Sequence, residues 1–181
     1  MRNVLVVGAV LVAATALIHP AKARSQSPYA GETEREIKAL SEDEIASYLA
    51  GEGMGFAMAA ELNRYPGPKH VLELATELEV SDEQREVVQV IFDGMQAEAR
   101  RLGEALVETE RELDAAFAER SIDPDVLRAH VASVGEIHAE LRYAHLVAHL
   151  QTTDALTAAQ IEAYDMYRGY GDHAGHGGHH Q

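Results

Sequence analysis

Two histidines one helical turn apart, His145 and His149, are the residues of this 181-residue chain best spaced for chemistry. On a helix, an i, i+4 pair puts both imidazoles on one face, where they can share a metal ion at Zn–N distances of about 2.0–2.1 Å. His138 lies within about 40° of them around the axis, but about 10 Å along it from His145, too far to join directly. A second group, His173, His176, His179 and His180, is interspersed with Gly and Ala at the C-terminal end. Such spacing lets imidazoles converge on Zn²⁺, Ni²⁺ or Cu²⁺ without preformed geometry. Spacing alone equally fits two inert, half-buried histidines on a helix edge, and a tail that binds ions weakly and unselectively.

A pair of imidazoles is an incomplete shell for a tetrahedral ion. His70 or Glu61, from an N-terminal segment folded against the helix, could supply what is missing, as could a carboxylate of a second subunit. Met54 and Met58 are an alternative pair whose thioethers would favour Cu(I), although a Met pair at helical spacing also serves as adaptable core filler. The chain contains no cysteine, which excludes thiolate sites and disulfides. It also lacks a Gly-x-Ser-x-Gly elbow, a phosphate-binding glycine loop and a His-Glu-x-x-His pair, and its acidic residues fall on the polar faces of helices. The expectation is a binding protein and not an enzyme.

The elements that must position these residues are helical. Residues 1–23 read as a cleaved signal peptide: Arg2, an apolar run from Val4 to Ile18, then Ala21-Lys22-Ala23. The run is shorter than the roughly 20 apolar residues of a membrane span. Without Arg2 and Lys22, 13 basic residues face 30 acidic ones, a formal charge of −17 against −15 for the whole chain. That surface repels nucleic acid and suits cationic partners. Ser41-Glu42-Asp43-Glu44 is a capping box that starts a helix at Glu42. Helix should resume near Gly55 and end by Asn63, before the break at Tyr65-Pro66-Gly67-Pro68. A short amphipathic helix follows, with Val71, Leu72, Leu74, Ala75 and Leu78 apolar.

A second capping box, Ser81-Asp82-Glu83-Gln84, opens the longest element, which should run from about Asp82 to Glu119. Its apolar stripe is Val88, Ile91, Met95, Ala99, Leu102, Leu106, Thr109, Leu113 and Ala116. Asp123-Pro124 caps the next helix, whose stripe is Leu127, Val131, Val134, Ile137, Leu141, Ala144 and Ala148. The short turn makes these two helices antiparallel neighbours. Tyr143, Leu146 and Leu150 form a second apolar face, which predicts cover on both flanks of the His pair. Thr157 with Gln160 caps a last short helix that ends at Gly169. Residues 171–181 should be disordered without a ligand.

Leu156-Thr157-Ala158-Ala159-Gln160 resembles the Leu-Thr-x-x-Gln motif of the Spy/CpxP periplasmic proteins, and Val80-Ser81-Asp82-Glu83-Gln84 looks like its first copy. The segments Gly53-Met54-Gly55, Ala60-Glu61-Leu62-Asn63, Tyr65-Pro66-Gly67-Pro68, His70-Val71-Leu72-Glu73-Leu74 and His145-Leu146-x-x-His149 resemble the heavy-metal-sensor branch. The resemblance covers about residues 31–170. It implies an all-α fold: a long antiparallel helical hairpin with shorter N-terminal helices and a short C-terminal helix, assembled as a homodimer. It further implies a periplasmic protein of metal or envelope stress, some relatives binding zinc, nickel, cobalt or copper and others acting as ATP-independent holdase chaperones. Domains are therefore expected at 1–23 (signal peptide), 24–170 (helical sensor domain) and 171–181 (His-rich tail). The function expected is sensing or buffering of Zn²⁺, Cu or Ni²⁺ through His145, His149, His70, His173, His176, His179 and His180, reported through a membrane signalling partner. The alternative is a holdase for unfolded clients.

Overall fold

The computed structural model describes residues 27–170, of which those from Glu32 on belong to one compact unit. The expected signal peptide and the His-rich tail lie outside the described residues. Six helices follow in order: α1 (Glu42–Ala50), α2 (Met58–Glu61), α3 (Pro68–Glu73), α4 (Asp82–Ala118), α5 (Pro124–Ala155) and α6 (Ala158–Tyr167). Among the described residues there is no strand, and no helix long and apolar enough to cross a membrane.

Local chemistry sets the helix starts. Ser41, Ser81 and Thr157 each accept from the backbone N–H three residues on, while Glu44, Gln84 and Gln160 reach back to the cap, so all three capping boxes are complete. Asp123 Oδ1 accepts from the N–H groups of Asp125 and Val126, both at 2.9 Å, ahead of Pro124. At 1.5 Å per residue, α4 is roughly 55 Å long.

α4 and α5 pack antiparallel as the expected hairpin. Ile37, Leu40 and Tyr48 close over its middle, against Ala99, Leu102, Leu106, Val107 and Leu141. The contact is close because Gly103 faces the Tyr48 carbonyl; a Cβ there would stand 2.1 Å from its oxygen. Lys38 and Arg111 add ion pairs to Asp114 and Glu36. A second cluster, Val71, Leu78, Val88 and Tyr164, joins α3, α4 and α6 at the open end of the hairpin.

The two later capping boxes are also bonded to each other. Gln84 Nε2 donates to Gln160 Oε1 and Gln160 Nε2 donates to Gln84 Oε1, both at 2.9 Å. The remaining donor capacity goes to backbone carbonyls between helices: Gln84 to that of Ala155, the last residue of α5, and Gln160 to that of Leu78, between α3 and α4. A glutamine at the third position therefore caps its own helix and fastens α4 to α6.

Several sequence expectations change. Instead of a helix from Gly55 to Asn63 there is one turn, Met58–Glu61, because Gly51, Gly55 and even Met54 take positive φ and Ala57 offers no cap. Met54 and Met58 are exposed, so they are not core filler. The second flank of the His pair is not covered: Tyr143 and Leu150 stand 63% and 51% exposed. Leu127 and Val131, expected on the buried stripe, are exposed because the N-terminal helices do not reach the hairpin tip.

Candidate metal centre

The fourth heptad of α5 carries both histidines inward. His145 is 3% exposed and His149 is 8% exposed, so neither is a free edge histidine. The His145 ring stacks on Phe56, centroids 5.7 Å apart and planes within 9°, and Phe56 also contacts His138 at 6.1 Å. His145 Nε2 is buried and has no hydrogen-bond partner. Burial first, and then the neighbouring His149, hold the His145 imidazole below the usual histidine range, which favours its neutral, ligand-competent form.

His149 is oriented by backbone. Its Nδ1 lies 2.7 Å from the Tyr65 carbonyl oxygen, which can only accept, so Nδ1 carries the proton and donates. In the neutral ring Nε2 then keeps the lone pair, the arrangement by which a carbonyl orients a metal-binding histidine. The ring lies against Gly67: a Cβ there would meet Cε1 at 2.9 Å and Nε2 at 3.0 Å. The Tyr-Pro-Gly-Pro break thus does more than end a helix. It delivers a carbonyl and a bare glycine to the His149 ring.

Glu61 stands on the other side. Its Oε1 accepts from the hydroxyls of Tyr164 (2.7 Å) and Tyr170 (3.1 Å) and from Arg168 Nε (3.2 Å). Burial and the Glu61 carboxylate push the Tyr164 hydroxyl far above its ordinary range, so it remains a donor. Oε2 faces His149, 3.7 Å from Nδ1, and no hydrogen bond reaches it from the described residues. Next to this hub, Arg64 Nε pairs with the buried Asp165 Oδ2 at 2.5 Å and ties the loop to α6.

Of the residues singled out from sequence, the fold brings together His145, His149 and Glu61. His70 sits on α3 with its Nδ1 2.7 Å from Glu73 Oε2, engaged locally. His173, His176, His179 and His180 lie outside the described residues. Among the described residues, no three His, Asp or Glu side chains converge closely enough to hold an ion together. Phe56, Tyr164, Arg168 and Tyr170 carry no spacing signal. The glycine between two prolines at position 67 was the one available hint of a close approach.

Two tests follow from this geometry. Gly67→Ala keeps an accessible backbone conformation (φ −84, ψ 141) but forces the His149 ring off the Tyr65 carbonyl. The expected cost is about 1–3 kcal/mol in urea unfolding, with loss of the protected His149 Nδ1 proton in NMR spectra. For His145, the folded pKa lies below the unfolded one, so its contribution to stability is complete above about pH 6.5 and is lost as pH falls below it. Within the interval between the two pKa values each pH unit costs about 1.4 kcal/mol. His145→Phe should flatten that part of the stability profile relative to the unsubstituted protein; an unchanged slope contradicts the assignment.

Comparison with protein-family models, curated proteins and solved structures returned no match to this chain.

Proposed function

We propose that the protein binds a transition metal ion, Zn²⁺, Ni²⁺ or a copper ion, through His145 and His149, and that it senses or buffers that ion in the periplasm. The observation that carries this reading is the His145 Nε2 atom, a buried ring nitrogen without a partner. Leaving a buried polar group unpaired costs about 1–3 kcal/mol, and an ion that takes its lone pair removes that cost. One turn away, the Tyr65 carbonyl leaves the His149 Nε2 lone pair equally available in the neutral ring. Two imidazoles with a carboxylate oxygen nearby suit borderline ions such as Zn²⁺, Ni²⁺ and Cu²⁺. Once bound, such an ion would hold the His149 ring in the orientation that the Tyr65 carbonyl already gives it. Access to Nε2 requires its packed neighbours to move.

The test is a calorimetric Zn²⁺ and Ni²⁺ titration of the protein and of His145→Ala/His149→Ala. Loss of both imidazoles should weaken binding by well over the roughly 10–100-fold typical of removing a group that only orients a ligand. Equal affinity of the two proteins rejects the site.

A second reading, a holdase for unfolded clients, is favoured by the groove between α4 and α5. It encloses about 630 Å³, with Val87, Val90, Met95 and Tyr143 in its lining and Glu98, Glu140 and Asp154 among them. Val90 is 72% exposed and Tyr143 63%, which is unusual for a hairpin surface with nothing packed on it. An apolar groove with acidic sides suits basic, partly unfolded chains, with an attraction that weakens in salt. Failure to suppress aggregation of a basic client at stoichiometric protein counts against it.

A further inference from the structure

The lining of the α4–α5 groove repeats with the spacing of a coiled coil. On α4, Val87, Ile91, Gly94 and Glu98 recur after four, three and four residues. On α5, Glu140, Ala144, Val147, Gln151 and Asp154 recur after four, three, four and three. Rows of this kind present holes roughly 5 Å apart along the axis, each matched to a knob of a helix with the same repeat. Same-face side chains of an extended segment recur about 6.7 Å apart and fall a whole hole out of step within four positions. The groove is therefore shaped for a helix. Its floor has room for large knobs, since Gly94 has open space where a Cβ would stand and Ala144 and Ala148 are small and buried. Val87, Val90 and Tyr143 form its exposed apolar rim.

Charge decides what kind of helix fits. The ionised lining residues are all acidic: Glu98 and Glu140 at one end and Asp154 at the other. Arg101 pairs with Glu98 through two hydrogen bonds, at 2.9 and 2.6 Å, and lies in the field of Glu140. No ion pair reaches Asp154 from the described residues. Glu140 and Asp154 are 14 residues apart on α5, about 21 Å, and that interval returns a helix to within about 40° of the same face. A second copy of this chain would bring the same acidic ends into contact with themselves, in a chain of formal charge −15. Like charges at both ends disfavour that occupant and favour a basic one.

We infer that the α4–α5 groove is a docking site for a basic amphipathic helix of another protein, with apolar residues in heptad spacing and a Lys or Arg near each end, 14 residues apart. The inference rests on the same groove as the holdase reading and narrows its occupant from an unfolded chain to a helix. It does not use His145 or His149, which face Phe56 and the Tyr65 carbonyl.

The test titrates the full chain, by fluorescence anisotropy, with a labelled peptide of about 18 residues, built of Ala and Gln with Leu in heptad spacing and a Lys near each end. One peptide should bind per chain. Glu140→Gln/Asp154→Asn should weaken it about 10-fold, and more at low salt than at high. Gly94→Leu, which fills the floor, should weaken it by at least about 10-fold. Circular dichroism checks that both variants keep their helices, and either one alone decides the matter if the other misfolds. Unchanged affinity in the folded variants places the peptide elsewhere and overturns the inference. Equal binding of a version broken by two central prolines gives the groove to unfolded chains, so that the holdase reading stands and the helix falls. No binding of the Lys peptide, or equal binding of one with Glu in place of Lys, also overturns the inference and leaves the holdase reading to its own aggregation assay. Binding of the Lys peptide without any suppression of aggregation keeps the inference and removes the holdase. A dimer of the protein alone that Gly94→Leu dissociates assigns the groove to a second copy and overturns the inference as well.

Discussion

Gly103→Ala should lower the unfolding free energy by about 2–3 kcal/mol, or detach α1 from the hairpin, although helix propensity alone predicts a gain of about 0.5–1 kcal/mol. The added Cβ would lie 2.1 Å from the Tyr48 carbonyl oxygen and 2.7 Å from its carbon. Both are backbone atoms near the end of α1, and they cannot swing aside as a side chain would. Relief requires α1 to move off α4, which loosens Tyr48 from Leu102, Leu106 and Leu141. Gly94 is the control on the same helix, since a Cβ there meets nothing within 4 Å. Gly94→Ala should show the propensity gain unopposed. Urea unfolding of both variants checks the sign, and two changes of the same sign would mean that the close approach does not govern stability.

Replacing both capping glutamines, Gln84→Glu/Gln160→Glu, should be the most damaging conservative change in the chain. Either glutamate alone can still accept from its own cap, as Glu44 does from Ser41. Neither can donate to the Ala155 or Leu78 carbonyls, and together they place two carboxylates where the amides now stand 2.9 Å apart. At an effective dielectric near 20, unit charges at that separation repel by about 6 kcal/mol; partial exposure of the pair and small adjustments should reduce this to about 3 kcal/mol. Each single change should cost about 1–3 kcal/mol through its orphaned acceptors. The double variant should also acquire a reversed pH dependence. Like-charge repulsion raises the folded pKa values of the pair, so stability is best below the ordinary carboxylate range and is lost as pH rises through the raised values. Denaturation at pH 4.5 and 7.5 measures this, and a double variant equally stable at both would remove the reciprocal pair from consideration.

Helix positions were legible because their signals are local. Ser41 with Glu44, Ser81 with Gln84, Asp123 with Pro124 and Thr157 with Gln160 each satisfy orphan N–H groups within one turn, so the segment itself determines where a helix begins. The 3.6-residue stripes on α4 and α5, with a short turn between them, likewise required an antiparallel hairpin. The His pair could be seen on one face of α5, but not whether that face was covered.

That was decided by contacts between residues far apart in the chain. Phe56 lies over His145, the Tyr65 carbonyl holds His149, and Glu61 collects Tyr164, Arg168 and Tyr170, all across separations that leave no periodic trace. The same holds for Gln84 with Gln160 and for Gly103 with Tyr48. A capping residue is selected by the turn it sits on, whereas a close approach is selected by the partner it meets. Sequence alone therefore determined the four capped helices, their order and the pair of imidazoles, but not the single turn at Met58–Glu61. Only tertiary packing decided that one imidazole would be left buried without a partner and that the other would be aimed by a carbonyl.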